Sequence, residues 1–459
     1  MMSSRIPFEP FNYKSLNDLK KKFEQLNLEI PISKDIEILR HNVRIKNNNI
    51  PNRLAIQPME GFDSKLDGSP GDLTYRRYRR YANGGAGLIW CEATAISEEC
   101  RSNPHQLFLS EENLKKFKEF VSEIRETSNS VLRSLGFKDD SIFILQLNHS
   151  GRYAMINDKR YPIRAYQNLE LDKAIGVSQE DGVIITDQEL EELEDLWVHK
   201  AILARDAGFN GVDIKACHGY LINELLCSRL RDGSKYGGNS LENRSRFILN
   251  ILKKLSKQVE DDNNFLMTSR LGIYDGIPYP YGFGVKNIVN EEFPATVDLS
   301  EPIELIEKMH NIGVRLINLS LGNPRYSPHL TRPYDTPAFG RSLPSEHPLI
   351  SVNNLIKLTS MIKKHLPEDI IVVGSGYSYL RQFSGYIGAG LIQKNMVDIC
   401  GFGRMSFANP DFPKQLFQDG VINSKDVCIT CSKCSEFMKL GKSTGCAIRD
   451  PKYKKPKVK

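Results

Sequence analysis

The chain has 459 residues, of which 40% are hydrophobic and 26% charged; this is soluble-globular composition at a length that suits an α/β barrel with additions. Its net charge of +6, from 62 basic and 56 acidic residues, is too mild for a nucleic-acid-binding face, and much of the excess sits in the terminal PKYKKPKVK, read as a solvated end. No run of about 18 apolar residues exists, which excludes a membrane-spanning helix, and the N-terminal MMSSRIPFEPFNYKSL lacks a signal peptide's apolar core and cleavage site, so a cytoplasmic location is expected.

Taken in chain order, residues 1–50 form an N-terminal extension in which KSLNDLKKKFEQL reads as an extra helix. Eight apolar or β-branched runs then follow: RLAIQP (53–58), GLIWCEA (87–93), IFILQLN (142–148), GVDIKA (211–216), FLMTSRL (265–271), RLINLSL (315–321), DIIVVGS (369–375) and VDICGFG (397–403). Amphipathic stretches separate them, among them LTYRRYRRYAN, ENLKKFKEFVSEIRE, ENRSRFILNILKKLSKQV and SVNNLIKLTSMIKKH. Eight strands alternating with eight helices predict a (β/α)8 barrel over residues 51–420. The rival doubly wound sheet opens with a Gly-rich turn after its first strand, and here that strand runs into MEGFDS. Residues 274–298 and 322–350, rich in Gly, Pro, Asn and Tyr, read as long βα loops on the catalytic rim. Residues 421–459 form a cysteine-rich segment.

Each strand delivers polar groups at its C-terminal end. In order they are Gln57, Met59 and Glu60; Glu92 and Thr94; Gln146, His149 and Arg152; Lys215, His218 and Tyr220; Arg270; Asn318 and Ser320; then GSGYS and GFGR. Any one of these is more often a satisfied strand-end hydrogen bonder than a catalyst. Their recurrence at one rim predicts a convergent polar pocket. Gly374 and Gly376 before one helix, with Gly403 and Arg404 after the last strand, suit a phosphate site, which barrels place after strands seven and eight. Two ordinary left-handed turns are the plainer reading of the same glycines.

PNRLAIQPM, QLNHSGR, HGYLINELL, KYGGNSLENRSRF, SRLG and GFGR stand in the order and spacing of a known family. From about residue 50 to residue 447 the chain resembles the Old Yellow Enzyme and 2,4-dienoyl-CoA reductase family of FMN-dependent NAD(P)H oxidoreductases. YGGNSLENR is the most specific segment, with Asn239 expected to cap the following helix and Glu242 to complete a capping box.

The resemblance implies roles residue by residue. Gln146 matches the residue bonded to the pyrimidine edge of FMN, and Arg270 the cation near flavin N1. Gly374, Ser375, Gly376, Gly403 and Arg404 match the phosphate cradle, while Pro58, Met59 and Glu60 lie along the isoalloxazine. Tyr220 matches the proton donor to the substrate α-carbon, and His218 belongs to the pair that holds an electron-withdrawing carbonyl. Two departures stand out: Lys215 replaces a His of the usual His-x-x-His or His-x-x-Asn, and Glu60 replaces a Thr or Cys. Lys215 can hold an enolate oxygen, select an anionic substrate or be neutralised by Glu60.

Nine cysteines without a secretion signal read as reduced thiols. Four of them, Cys428, Cys431, Cys434 and Cys446, fall in a C-x2-C-x2-C-x11-C pattern, suited to a cubane cluster or a tetrahedral ion. The dienoyl-CoA reductase and trimethylamine dehydrogenase branch of the family carries a [4Fe–4S] cluster there. A [4Fe–4S] cluster is therefore the first expectation, with structural zinc and an empty thiol set as alternatives. That branch also has a C-terminal FAD/NAD(P) domain, which has no counterpart in the residues after Cys446. An external electron-transfer partner or direct hydride transfer from a nicotinamide is expected in its place. The expected activity is reduction of an activated double bond by NAD(P)H through FMN. Amine oxidation and a flavin-bearing redox or electron-transfer subunit are the alternatives.

Overall fold

The computed structural model describes residues 8–453; the end of the basic tail lies outside them. Eight parallel strands close into a barrel: β1 (Leu54–Ile56), β2 (Leu88–Ala95), β3 (Ile142–Asn148), β4 (Gly211–Ile214), β5 (Leu266–Tyr274), β6 (Leu316–Leu321), β7 (Ile371–Gly374) and β8 (Ile399–Phe402). The closing pair is β8 on β1, with Cys400 opposite Leu54 and Phe402 opposite Ile56. All eight coincide with the predicted apolar runs to within a few residues at each end. The outer ring is α1 (Asp72–Ala82), α2 (Leu114–Ser134), α3 (Asp187–Asp206), α4 (Leu241–Gln258), α5 (Ser300–Ile312), α6 (Pro348–His365), α7 (Ser384–Gln393) and α8 (Phe412–Asp419). The predicted N-terminal helix spans Leu16–Gln25.

The side-chain period of two decides what fills the barrel. Inward positions read Ala55-Gln57-Met59 along and just beyond β1, Ile142-Ile144-Gln146 on β3 and Gly211-Asp213-Lys215 along and just beyond β4. They continue as Leu266-Thr268-Arg270, Leu316-Asn318-Ser320, Ile371-Val373-Ser375 and Ile399-Gly401-Gly403. The lower positions are apolar. Ile142, Ile144, Leu266, Leu316, Ile371 and Ile399 form a core separate from the one between sheet and helices. The upper positions turn polar, so the C-terminal mouth is where the site must be.

The lower core has a plug that the sequence did not reveal. A short antiparallel hairpin, Val43–Ile45 with Asn48–Ile50, inserts Val43, Ile45 and Ile50 into the same cluster as Trp90 and Ile142. Each of these three side chains is at most 5% exposed; burying an aliphatic side chain contributes about 1.5–3 kcal/mol. Three-residue strands carry too little periodicity to be read in advance. A second unpredicted unit lies between β3 and α3. There Arg152, fully buried, is clamped by Glu224 and Asp172, so it points away from the mouth.

The cap of α4 falls one residue later than expected. Ser240, not Asn239, accepts from the Asn243 amide at 3.3 Å, while the Asn239 carbonyl accepts from Arg244. Both residues are good caps; Arg244, buried and paired with Glu301, fixes the register of the first turn.

Candidate active site

The polar tier opens into a cavity of about 190 Å3. Its walls include Pro58, Met59 and Glu60 from the loop after β1, Gln146 from β3, Arg270 from β5, Ser375 and Gly376 after β7, and Gly403 and Arg404 after β8. Lys215, His218 and Tyr220 line the same cavity. Of the expected cofactor residues Gly374 alone is not on the wall: a Cβ there would strike the Tyr377 hydroxyl at 2.1 Å, and its carbonyl accepts from Gln57 Nε2 at 3.3 Å. Its small size serves packing beneath the cradle. Glu92 and His149 also turn away. Glu92 pairs with Arg77 and accepts from the Gly61 amide at 2.5 Å. His149 Nδ1 accepts from the Gly151 amide at 3.0 Å.

The floor is a hydrogen-bonded layer. Gln57 Nε2 donates to Asn318 Oδ1 at 3.1 Å and to Ser375 Oγ at 3.2 Å, while its carbonyl accepts from Asn318 Nδ2 at 2.7 Å and from Arg270 Nη1. Asp213, opposite Gln146 in the β3–β4 register, accepts from Gln146 Nε2 at 2.6 Å and from the Arg270 amide at 2.6 Å. Burial raises the Asp213 carboxyl and lowers the Arg270 guanidinium from their ordinary values. Asp213 was not singled out from the sequence; the signal was one acid at an inward position of a buried strand.

The wall across the floor carries the proton chemistry. Lys215 Nζ lies 3.2 Å from Glu60 Oε1 and 3.4 Å from the Tyr220 ring centroid. The Tyr220 hydroxyl donates to the same Glu60 oxygen at 3.1 Å. Burial and the Glu60 charge hold the Tyr220 phenol well above its ordinary value. His218 sits in the left-handed region at φ 67°, a conformation costing about 1–3 kcal/mol that persists only when over-determined. Two contacts supply that: His218 Nε2 meets Ser320 Oγ at 2.8 Å, and its carbonyl accepts from the Tyr153 hydroxyl at 3.4 Å. Burial, followed by the Arg270, Lys215 and Arg332 charges, pushes the imidazole well below its usual value, so it is neutral near pH 7.

FMN can be tested against these residues. Arg270 Nε and Arg404 Nη1 are buried without a hydrogen-bond partner, and both side chains line the cavity; such atoms call for an acceptor brought by a bound molecule. Gly376, at φ 98°, needs its glycine for the turn after β7, and a Cβ at Gly403 would come within 2.8 Å of Met59 Sδ. The residues present therefore fit a flat group with an anionic tail.

The four cysteines cluster beside this site. Cys428, Cys431, Cys434 and Cys446 line one small adjoining hollow, and Cys434 also reaches the main cavity. Burial pushes the Cys428 thiol up to about 12. Among the described residues no three His, Cys, Asp or Glu side chains are grouped as ligands of one metal ion. This grouping therefore shows neither the expected [4Fe–4S] cluster nor a zinc ion.

A closed parallel barrel whose C-terminal mouth carries two arginines, each with one buried nitrogen left without a partner, and a phenol–carboxylate–ammonium set defines the class: a barrel enzyme that holds an anionic cofactor. The profile of the NADH:flavin oxidoreductase / NADH oxidase family matches residues 41–280, and the chain belongs to that family. It is similar to a NADH:flavin oxidoreductase of Gibberella zeae, 26% identical over 392 residues that cover 79% of this chain and 89% of that one. It is also similar to the NADH oxidase of Thermoanaerobacter brockii, 26% identical over 85% of this chain and 52% of that one. Among solved structures, a 2-naphthoyl-CoA reductase complex shares the fold with a TM-score of 0.68, at 21% identity over 91% of this chain and 57% of that one. The chain thus spans little more than half the length of the latter two. Membership makes this an FMN-dependent oxidoreductase with NAD(P)H as co-substrate. Among the described residues no helix is long and apolar enough to cross a membrane.

Proposed function

We propose that the enzyme reduces an activated carbon–carbon double bond, with Tyr220 as the proton donor and His218 and Lys215 as anchors of the electron-withdrawing group. Bound FMN supplies hydride chemistry. The supporting observation is that Tyr220, His218 and Lys215 face one cavity with Arg270 and Gln146.

The protein's own part follows from the contacts. His218, neutral and bonded to Ser320, presents a ring nitrogen rather than a fixed charge. A donor aimed at the oxygen where negative charge develops acts mainly in the transition state. Lys215 adds a positive charge over the Tyr220 ring, favouring transient loss of the phenolic proton. Glu60, bonded to both, holds that hydroxyl in place. Gln146 keeps its carbonyl free because its amide group is committed to Asp213, leaving an acceptor for a ring N–H. Arg270 would hold the ring of bound FMN and supply positive charge beside it; Ser375, Gly376, Gly403 and Arg404 would hold its phosphate.

We also infer that Cys428, Cys431, Cys434 and Cys446 hold a [4Fe–4S] cluster. Their spacing supports it, as does their lining of one hollow. An electron-transfer partner is the corresponding proposal for how that cluster is served. Iron and acid-labile sulfide analysis of anaerobically purified protein tests it; protein free of both iron and sulfide refutes it. The main reading is tested by separating the half-reactions. NAD(P)H must bleach the flavin anaerobically and an enone must restore it; bleaching by an amine with no restoration by enones would favour the amine-oxidising alternative.

A further inference from the structure

The mouth of the cavity carries more positive charge than FMN alone requires. Arg404 and Arg270 are assigned to the flavin. Above them Arg325, Arg332 and Lys439 also line the cavity, and Arg332, Arg341 and Lys439 share a smaller hollow opening beside it. None of Arg325, Arg332, Arg341 and Lys439 has a carboxylate within 4 Å among the described residues, and Glu436 and Asp335 pair elsewhere, with Lys433 and Arg381. Cations gathered without a carboxylate counter-charge repel one another. Lys439 is lowered by partial burial and by Arg341, Arg325 and Arg332.

The cluster is held in place by contacts other than ion pairs. Arg341 Nη2 donates to the Arg325 carbonyl, and Lys439 Nζ donates to the Phe339 carbonyl at 3.0 Å. The Arg325 guanidinium lies 5.5 Å from the Tyr153 ring centroid, and Tyr153 meets Tyr220 edge-on at 5.3 Å. A cation on the cavity wall is therefore separated from Tyr220, the proposed proton donor, by one aromatic ring.

Resting on the oxidoreductase reading above, we propose that Arg325, Arg341 and Lys439 form a phosphate-binding subsite at the cavity mouth, which holds a phosphate group carried by the molecule that enters over the flavin. Forked guanidinium contacts suit phosphate oxygens, and an ammonium adds a point charge. Two sources share this chemistry: the phosphates of the nicotinamide dinucleotide and a phosphate on the alkene substrate.

The test uses flavin-loaded wild type, Arg325→Gln and Lys439→Gln, with FMN content measured first. Inorganic pyrophosphate binding, followed by calorimetry, needs no turnover and so stands even if alkene reduction fails. The expected result is binding to wild type that weakens about 10- to 100-fold in each variant with FMN retained. Anaerobic flavin reduction then assigns the source. Weaker NADPH with unchanged NADH marks the 2′-phosphate, equal weakening of both marks the pyrophosphate, and weakening confined to a phosphorylated enone marks the substrate. No pyrophosphate binding to wild type, equal binding to all three proteins, or binding only after FMN is lost overturns the proposal.

Discussion

Lys215 and Glu60 pair at 3.2 Å inside the cavity, with their side chains 5% and 7% exposed. The pair joins two strand ends, and the shared Glu60 oxygen also accepts from Tyr220. Breaking a buried pair leaves one charge stranded, at a cost of about 3–5 kcal/mol, whereas replacing both partners is far milder. Lys215→Met and Glu60→Gln should each lower unfolding stability by about 3 kcal/mol, and the double variant by much less than their sum. Urea unfolding of the four proteins measures this coupling; additive losses would mean that the two groups do not interact.

Tyr220→Phe removes the phenolic proton and leaves the ring under Lys215. Enone-driven reoxidation should slow by about 100- to 10,000-fold, the range for a lost general acid. Flavin reduction by NADPH should change little. Anaerobic stopped-flow absorbance reads both rates separately, and an unchanged reoxidation rate would remove Tyr220 as the acid.

Arg270→Met removes the cation proposed to face the reduced ring. Loss of a charge-assisted hydrogen bond costs about 1.5–3 kcal/mol, so FMN should bind about 10- to 100-fold more weakly and the retained flavin should become harder to reduce. Fluorescence titration of apoprotein and spectroelectrochemistry check the two effects. A higher potential in the variant contradicts this placement of the charge.

His149 is held at about 3 by burial, far below its ordinary value of about 6.5. Between those values the unfolded chain binds a proton that the folded chain refuses, so stability falls as pH drops below about 6.5. His149 alone should contribute about 2 kcal/mol of loss between pH 7 and pH 5. His149→Gln, whose carbonyl can still accept from the Gly151 amide, should flatten the slope by that amount in urea unfolding; an unchanged slope would show that His149 is not the group responsible.

The eight strands were legible because a barrel interior demands apolar runs, and IFILQLN or RLINLSL offers no other period. Polar positions at the strand ends were legible for the same reason. Which of them face the mouth was not. Gln146 and His149 stand three residues apart in one run, yet one reaches the cavity and the other bonds its own loop; that choice is made by the strand's end, where alternation stops. The Lys215–Glu60 pairing could be posed from the sequence only as one of three roles, since partners 155 residues apart are chosen by closure of the barrel. The Arg325, Arg341 and Lys439 cluster was invisible because its members come from one long loop and from the segment after the third cysteine, with no local pattern to join them. The hairpin that plugs the barrel floor was hidden by its brevity.

A flavin seated at the mouth of this barrel is tested most directly by the absorption spectrum of the purified protein. The predicted result is an oxidised flavin spectrum, one FMN released per chain on denaturation, bleaching by NADPH and recovery on adding an enone. A colourless protein that takes up no FMN when the cofactor is supplied would contradict it.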